Sequence, residues 1–331
     1  MGWVRSVRSA RSALPSSGQP PSTWFPGLPL ASRAEALVAC PGAVARLVAA
    51  ESWAAELDVF FDHCRQRGVG CWGRYRAFRW QGAQLRGIAQ PDPVRLDQLF
   101  GYDLPKQQLL ANTERLLRGQ PALNVLLYGS RGAGKSSLVK ALVNGFGEAS
   151  QGSFAQRGLR LIEVAKGELA QLPAIAEQLR SVAQKFILFV DDLSFEADDE
   201  AFKALKVVLE GSASARPANL VVYATSNRRH LVREFFDDRP RPKDAAEIHQ
   251  WDTVQEKLSF SDRFGLTLTF GPADQDEYLA IVRHLVVQAE LKIEPADLEF
   301  RALQWATRHN GRSGRTAQQF VAWLQGENLS S

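Results

Sequence analysis

The chain lacks any apolar run near the ~18 residues that a membrane-spanning helix needs. Its longest candidates, such as Phe186 to Val190, are strand-sized. A spanning helix is excluded on that ground, and a protein outside the membrane is expected. Cysteine is scarce: Cys40, Cys64 and Cys71 form no CxxC pair and no metal-ligand spacing, and an odd number argues against a disulfide framework. A reducing, cytoplasmic setting fits. Excess charge of one sign is missing too, since 40 Lys and Arg stand against 36 Asp and Glu, a net +4. Such a balance permits an acidic partner without requiring one. There is no internal repeat. What remains is an ordinary globular composition, 45% hydrophobic and 23% charged, in 331 residues. That length carries a prior of about two domains of ~100–200 residues.

Residues 1–34 hold four arginines (Arg5, Arg8, Arg11, Arg33), no acid and a Ser/Pro/Gly-rich middle, the composition of a solvated tail. The apolar core of a signal peptide does not follow, although an organellar transit segment or a misassigned start codon shares this composition. Residues 35–92 read as an N-terminal extension: helical patterning to about Cys64, divided near Cys40-Pro41-Gly42, then RQRGVGCWGRYRAFRWQGAQLRG. This stretch has six arginines, no acid, and interleaved Trp72, Tyr75, Phe78 and Trp80 whose alternation suggests a strand pair. Arginines among aromatics are the ingredients of a single-strand nucleic-acid surface, and equally of a small β element with an aromatic core. After the Pro91 to Pro93 break, helical and strand patterns alternate: helix 103–118, strand 123–128, helix 135–145, strand 159–164, helix 168–183, strand 186–191, helix 199–210, strand 219–225. This predicts an α/β fold, a parallel sheet with helices on both faces, over 93–270. A charged stretch, Asp237 to Asp252, interrupts it. Residues 271–331 are helical only and read as a lid.

The strand reaching Tyr128 runs into Gly129-Ser130-Arg131-Gly132-Ala133-Gly134-Lys135-Ser136, then Ser137 and a helix. Every fixed position of G-x-x-x-x-G-K-[ST] is met in strand–loop–helix context. Glycines let backbone N–H groups wrap phosphates, Lys135 neutralises phosphate charge, and Ser136 is placed to ligate Mg²⁺. The buried strand ending Phe189-Val190 delivers Asp191 and Asp192 to the edge where parallel sheets bind ligands. Asp191 is expected to hold Mg²⁺ and Asp192 to orient attacking water, with Glu196 a less direct base. Asn227 caps the next strand, where an amide can bond both phosphate and water.

These elements stand in the order and spacing of Walker A, Walker B and sensor 1, and the chain resembles AAA+ ATPases. In the same order, Leu258 to Gly265 is similar to the segment carrying the arginine finger, at Arg263. Gly311 to Arg315 is similar to sensor 2, with Arg315 preferred over Arg312. The strings FVDDLSFE, ATSNRRHLVREFF, EKLSFSDRFGLTLTF and GRSGRTAQQF resemble a bacterial AAA+ group known only as a domain of unknown function. The resemblance spans about Leu96 to Leu324. It implies a P-loop core with a C-terminal helical lid, ATP and Mg²⁺ as cofactors, hydrolysis, and a homo-oligomer remodelling an unnamed protein or nucleic acid. It also places an adenine-contacting segment near Tyr102 and Asp103. One departure is Asp192, where many members carry Glu. The alternatives are a slow or non-hydrolysing ATP switch and a nucleic-acid-associated loader. A P-loop kinase accounts for neither Asn227 nor the arginine-bearing terminal helices.

Overall fold

Short runs rich in Val, Ile, Leu and Phe form seven strands, seen here in a computed structural model that describes residues 53–145, 153–193, 200–210, 217–227, 263–309 and 311–328. The strands are β1 (Ala77–Gln81), β2 (Gln84–Gly87), β3 (Val125–Gly129), β4 (Leu159–Glu163), β5 (Lys185–Val190), β6 (Leu220–Ser226) and β7 (Leu266–Phe270). They make one sheet in the order β2-β1-β4-β5-β6-β3-β7. Every pairing is parallel except the β1–β2 hairpin. Register decides what meets at the upper edge: Tyr128 lies beside Ser226, Gly129 beside Phe270, and Val190 beside Ala224. The residues that follow β3, β5 and β6 are thereby gathered at one edge, where ligands of parallel sheets bind.

The helices are α1 (Trp53–Arg67), α2 (Cys71–Arg74), α3 (Asp103–Leu117), α4 (Lys135–Ala141), α5 (Leu172–Leu179), α6 (Glu200–Glu210), α7 (Gln275–Gln288), α8 (Pro295–Arg308) and α9 (Gly314–Asn328). Strand alternation feeds two cores. Phe186, Leu188 and Val190 pack toward α5 and α6, whereas Ile187 and Phe189 pack toward α3 and α4. A third core, with Tyr278, Val282, Leu298, Ala302 and Phe320, joins α7, α8 and α9 into the lid. The result is a mostly parallel sheet flanked by helices with a helical C-terminal region, the α/β architecture expected from the sequence.

Several elements differ from their sequence readings. Strand β3 begins at Val125 because the Asn112 amide binds both the N–H and C=O of Leu123, each at 2.9 Å, before the ladder starts. The helix expected over 168–183 is a 3-10 turn, Lys166–Gln171, followed by α5, with Pro173 in its first turn. Proline is tolerated only there in a helix, so it marks a new start. The helix expected over 135–145 closes as a 3-10 turn from Leu142 to Asn144. Strand β7 is an addition; its alternating Leu266-Thr267-Leu268-Thr269-Phe270 pairs along the whole of β3.

The basic aromatic stretch forms the β1–β2 hairpin at the edge of the same sheet, although the sequence reading assigns it to the extension 35–92. Its rings are core. Phe78 and Trp80 are buried, and Trp72 sits 4.7 Å from Phe78 and 5.1 Å from Phe186 between ring centroids. Burying such a side chain contributes roughly 1.5–3 kcal/mol, whereas the largely exposed Arg79–Glu163 ion pair adds about 1 kcal/mol at most. Apolar packing holds the hairpin, with Phe78 and Trp80 inside the core and Trp72 and Tyr75 half-buried against it. The tail 1–34, Cys40, Glu196 and the Asp237 to Asp252 stretch lie outside the described residues. No helix among the described residues is long and apolar enough to cross a membrane.

Candidate functional site

The loop between β3 and α4 takes its shape from glycines. Gly129, Gly132 and Gly134 have φ of 136°, 76° and 83°, values that side chains with a Cβ rarely adopt. At Gly129 a Cβ would stand 1.9 Å from the Phe270 carbonyl oxygen, so only glycine lets β3 and the end of β7 approach this closely. The Ser130 N–H then donates to that same carbonyl at 2.8 Å.

Lys135 opens α4 and turns back under the loop. Its Nζ donates to the carbonyls of Gly129 at 2.9 Å and Ser130 at 2.8 Å, and to Asn227 Oδ1 at 3.2 Å. The side chain is buried, and desolvation holds its ammonium below the usual lysine range. Asp192 and then Asp191 pull it back up, while Arg315 pushes it down. A desolvated cation among carbonyl oxygens gains most from an anion that replaces them.

The acids stand opposite. Ser136 Oγ donates to Asp191 Oδ1 at 2.5 Å, and Asn227 Nδ2 donates to Asp192 Oδ1 at 2.8 Å. Sequence reasoning missed Thr225, whose hydroxyl touches both acid residues. The available signal was its place at the end of the same buried run, two residues before Asn227.

A cavity of about 580 Å³ lies over this edge and under the lid. Lys106, Arg131, Lys135 and Arg315 line it, against Asp191 and Asp192. Four lining cations against two acids suit a polyanion. Its other end is apolar, walled by Leu99, Phe100, Tyr102, Ile281 and Leu285. Burial holds Lys106 low as well, partly opposed by Asp103, and its ammonium donates to the Leu99 carbonyl. Tyr102 lies against Phe270, and its hydroxyl donates to the Gly271 carbonyl at 2.6 Å.

The lid reaches the loop directly, with the Arg315 N–H donating to the Gly132 carbonyl at 3.2 Å. Arg315 lines the cavity, whereas Arg312 turns to Gln275, 3.3 Å from its Oε1. The structure therefore brings together Gly129 to Ser137, Asp191, Asp192, Asn227 and Arg315 around or beside one cavity. Arg263 is elsewhere. It precedes β7, whose five residues separate it from the loop edge by ~16 Å at ~3.3 Å per residue. Among the described residues no cluster of three or more His, Cys, Asp or Glu is set to hold a metal.

Proteasome-activating nucleotidase 2 of Haloferax volcanii is 25% identical over 191 residues, covering 55% of this chain and 43% of that protein. The chain thus spans less than half the length of that relative. The RuvB Holliday junction branch migration motor of Thermotoga maritima superposes with a TM-score of 0.40 at 17% identity, covering 70% of this chain and 72% of that one. Residues 73–328, most of the chain and the whole of the described site, match the family described as Protein of unknown function (DUF815), and the chain belongs to that family.

Proposed function

We propose that this chain is a Mg²⁺-dependent ATPase that couples ATP binding and hydrolysis to movement of its lid, and through the lid to remodelling of a macromolecule. The observation that carries this reading is the convergence of a complete phosphate loop, two acids and an asparagine at one sheet edge beneath an arginine-bearing lid. The donor set fits the cofactors. Ser136 and Asp191 offer hard oxygens of the kind Mg²⁺ accepts alongside water and phosphate. When bound, the ion would neutralise phosphate charge.

Lys135 holds the terminal phosphates of ATP, exchanging loop carbonyls for phosphate oxygens. Asp192 orients and accepts a proton from the attacking water, and Asn227 holds Asp192 in place. Arg315, on the lid side of the cavity, links phosphate occupancy to lid position. Arg263, remote from its own cavity, is assigned to a neighbouring subunit's site in a homo-oligomer. The alternative of a slow switch is favoured by the Asn227–Asp192 hydrogen bond, which occupies one oxygen of a carboxylate already shorter than glutamate.

Two variants test the reading. Lys135→Ala is expected to abolish ATP binding, and unchanged affinity in a folded protein contradicts the loop assignment. Asp192→Asn is expected to keep binding while turnover falls by roughly 10²-fold or more. Single-turnover assays separate the two rates: a wild-type protein that binds ATP and does not cleave it selects the switch.

A further inference from the structure

Thr225 has no part in the roles above, yet it touches both acid residues. It is 2% exposed, and its hydroxyl is used twice. Oγ1 accepts the Asp192 backbone N–H at 2.9 Å and donates to Asp191 Oδ1 at 2.6 Å. A hydroxyl has one proton, so donation to Asp191 fixes its rotation and leaves a lone pair for Asp192. Asp192 stands at φ 52°, a left-handed conformation that a non-glycine residue keeps only when its surroundings over-determine it. The bond from its own N–H to Thr225 Oγ1 supplies part of that hold. The next residue supplies more, because the Leu193 N–H donates to the Thr225 carbonyl at 2.7 Å. Asn227, the first residue beyond β6, donates to the Asp192 carboxylate at 2.8 Å. The end of β6 therefore grips Asp192 at backbone and side chain, and Asp191 at its carboxylate.

We propose that Thr225 is a positioning residue for ATP hydrolysis, its hydroxyl fixing the two acids relative to one another so that Asp191 faces the metal while Asp192 faces the water. The proposal rests on the assignment of Asp192 as the water-orienting group. Valine in place of threonine keeps the volume and removes both hydrogen bonds; serine restores them.

The test uses the full chain, measuring kcat, KM for ATP, and affinity for a non-hydrolysable ATP analogue with Mg²⁺. Thr225→Val is expected to lower kcat by roughly 10- to 100-fold, the usual effect of losing an outer-shell partner, with analogue affinity close to wild type. Thr225→Ser recovers most of the rate. In an Asp192→Asn background Thr225→Val adds little, because both changes act through one group. Wild-type kcat in Thr225→Val overturns the proposal alone, provided Asp192→Asn is slow. Its loss persisting undiminished on the Asp192→Asn background, or a folded Thr225→Ser as slow as Val, does the same. Wild-type turnover in Asp192→Asn overturns the assignment of Asp192, and the proposal with it. If Thr225→Val does not fold, Thr225→Ala replaces it; loss of fold in both shows that the hydroxyl serves stability and overturns positioning.

Discussion

Tyr223, buried on β6, has a hydroxyl that accepts from Asn112 Nδ2 and donates to Thr113 Oγ1, each at 3.0 Å. Thr113 has already given its proton to the Leu109 carbonyl. Burial pushes the phenol up to about 12 against the opposing pull of these hydrogen bonds. The folded chain thus keeps a proton that the unfolded chain releases near pH 10, so this contribution to stability is complete below pH 10 and lost as pH rises through about 12. Tyr223→Phe is expected to lose about 1 kcal/mol at neutral pH, yet to decline less steeply than wild type between pH 10 and 12. Urea denaturation at stepped pH checks it, and parallel declines would refute the assignment; Tyr278, also raised to about 12, is common to both proteins and cancels. The loop glycines separate on the same scale. Gly129→Ala drives a Cβ into the Phe270 carbonyl and should destabilise the fold by about 3 kcal/mol or more. Gly134→Ala meets no atom within 4 Å, so its left-handed backbone costs only about 1–2 kcal/mol. Thermal melts should show the first variant far below the second.

Among the elements, α1 and α2 are fastened to the sheet by Arg160 on β4. It is 3% exposed and donates to the carbonyls of Trp72 and Ala155 at 2.8 Å, of Leu159 at 2.7 Å, and of Arg67. Burial lowers this guanidinium to about 10, a penalty of roughly 3 kcal/mol. Hydrogen bonds from a charged donor contribute ~1.5–3 kcal/mol each, so four outweigh it. Arg160→Met should cost about 2–4 kcal/mol and raise hydrogen exchange over residues 53–74, with ATP affinity unchanged; protected exchange there would show that α1 is held by other means. Nothing in the sequence marked Arg160 apart from its neighbours. Its role depends on carbonyls brought from elements up to 93 residues away, a distance that no local pattern encodes. The phosphate loop, Asp191 and Asn227 were legible because each lies at the end of a buried run, where type and spacing carry the chemistry. Strand β7 was passed over because Thr267 and Thr269 alternate to the exposed side, which leaves no continuous apolar run. The preference for Arg315 over Arg312 rested on the resemblance, and the packing of the C-terminal helices adds a geometric ground: Arg315 lines the cavity while Arg312 turns to Gln275.

At the scale of the whole molecule the proposed homo-oligomer is tested through Arg263, which is not among the residues lining the chain's own cavity. Activity should rise more steeply than linearly with protein concentration, and Arg263→Ala should slow turnover while sparing monomer ATP affinity. Mixing Arg263→Ala with Lys135→Ala subunits gives the decisive comparison, since one keeps an intact phosphate loop and the other an intact arginine. Recovered activity places Arg263 in a neighbour's site; no recovery, with concentration-independent wild-type turnover, selects a monomer. One junction connects these scales. The Phe270–Gly271 step, where the sheet gives way to the lid, is gripped by the Ser130 N–H on one carbonyl and by the Tyr102 hydroxyl on the next. A joint held from both sides fixes where the chain leaves the sheet, so the first residues of the C-terminal helices start from a position set by the phosphate loop and by Tyr102 together. Under the proposed movement of the lid, a shift of the phosphate loop is expected to enter the C-terminal helices at this joint.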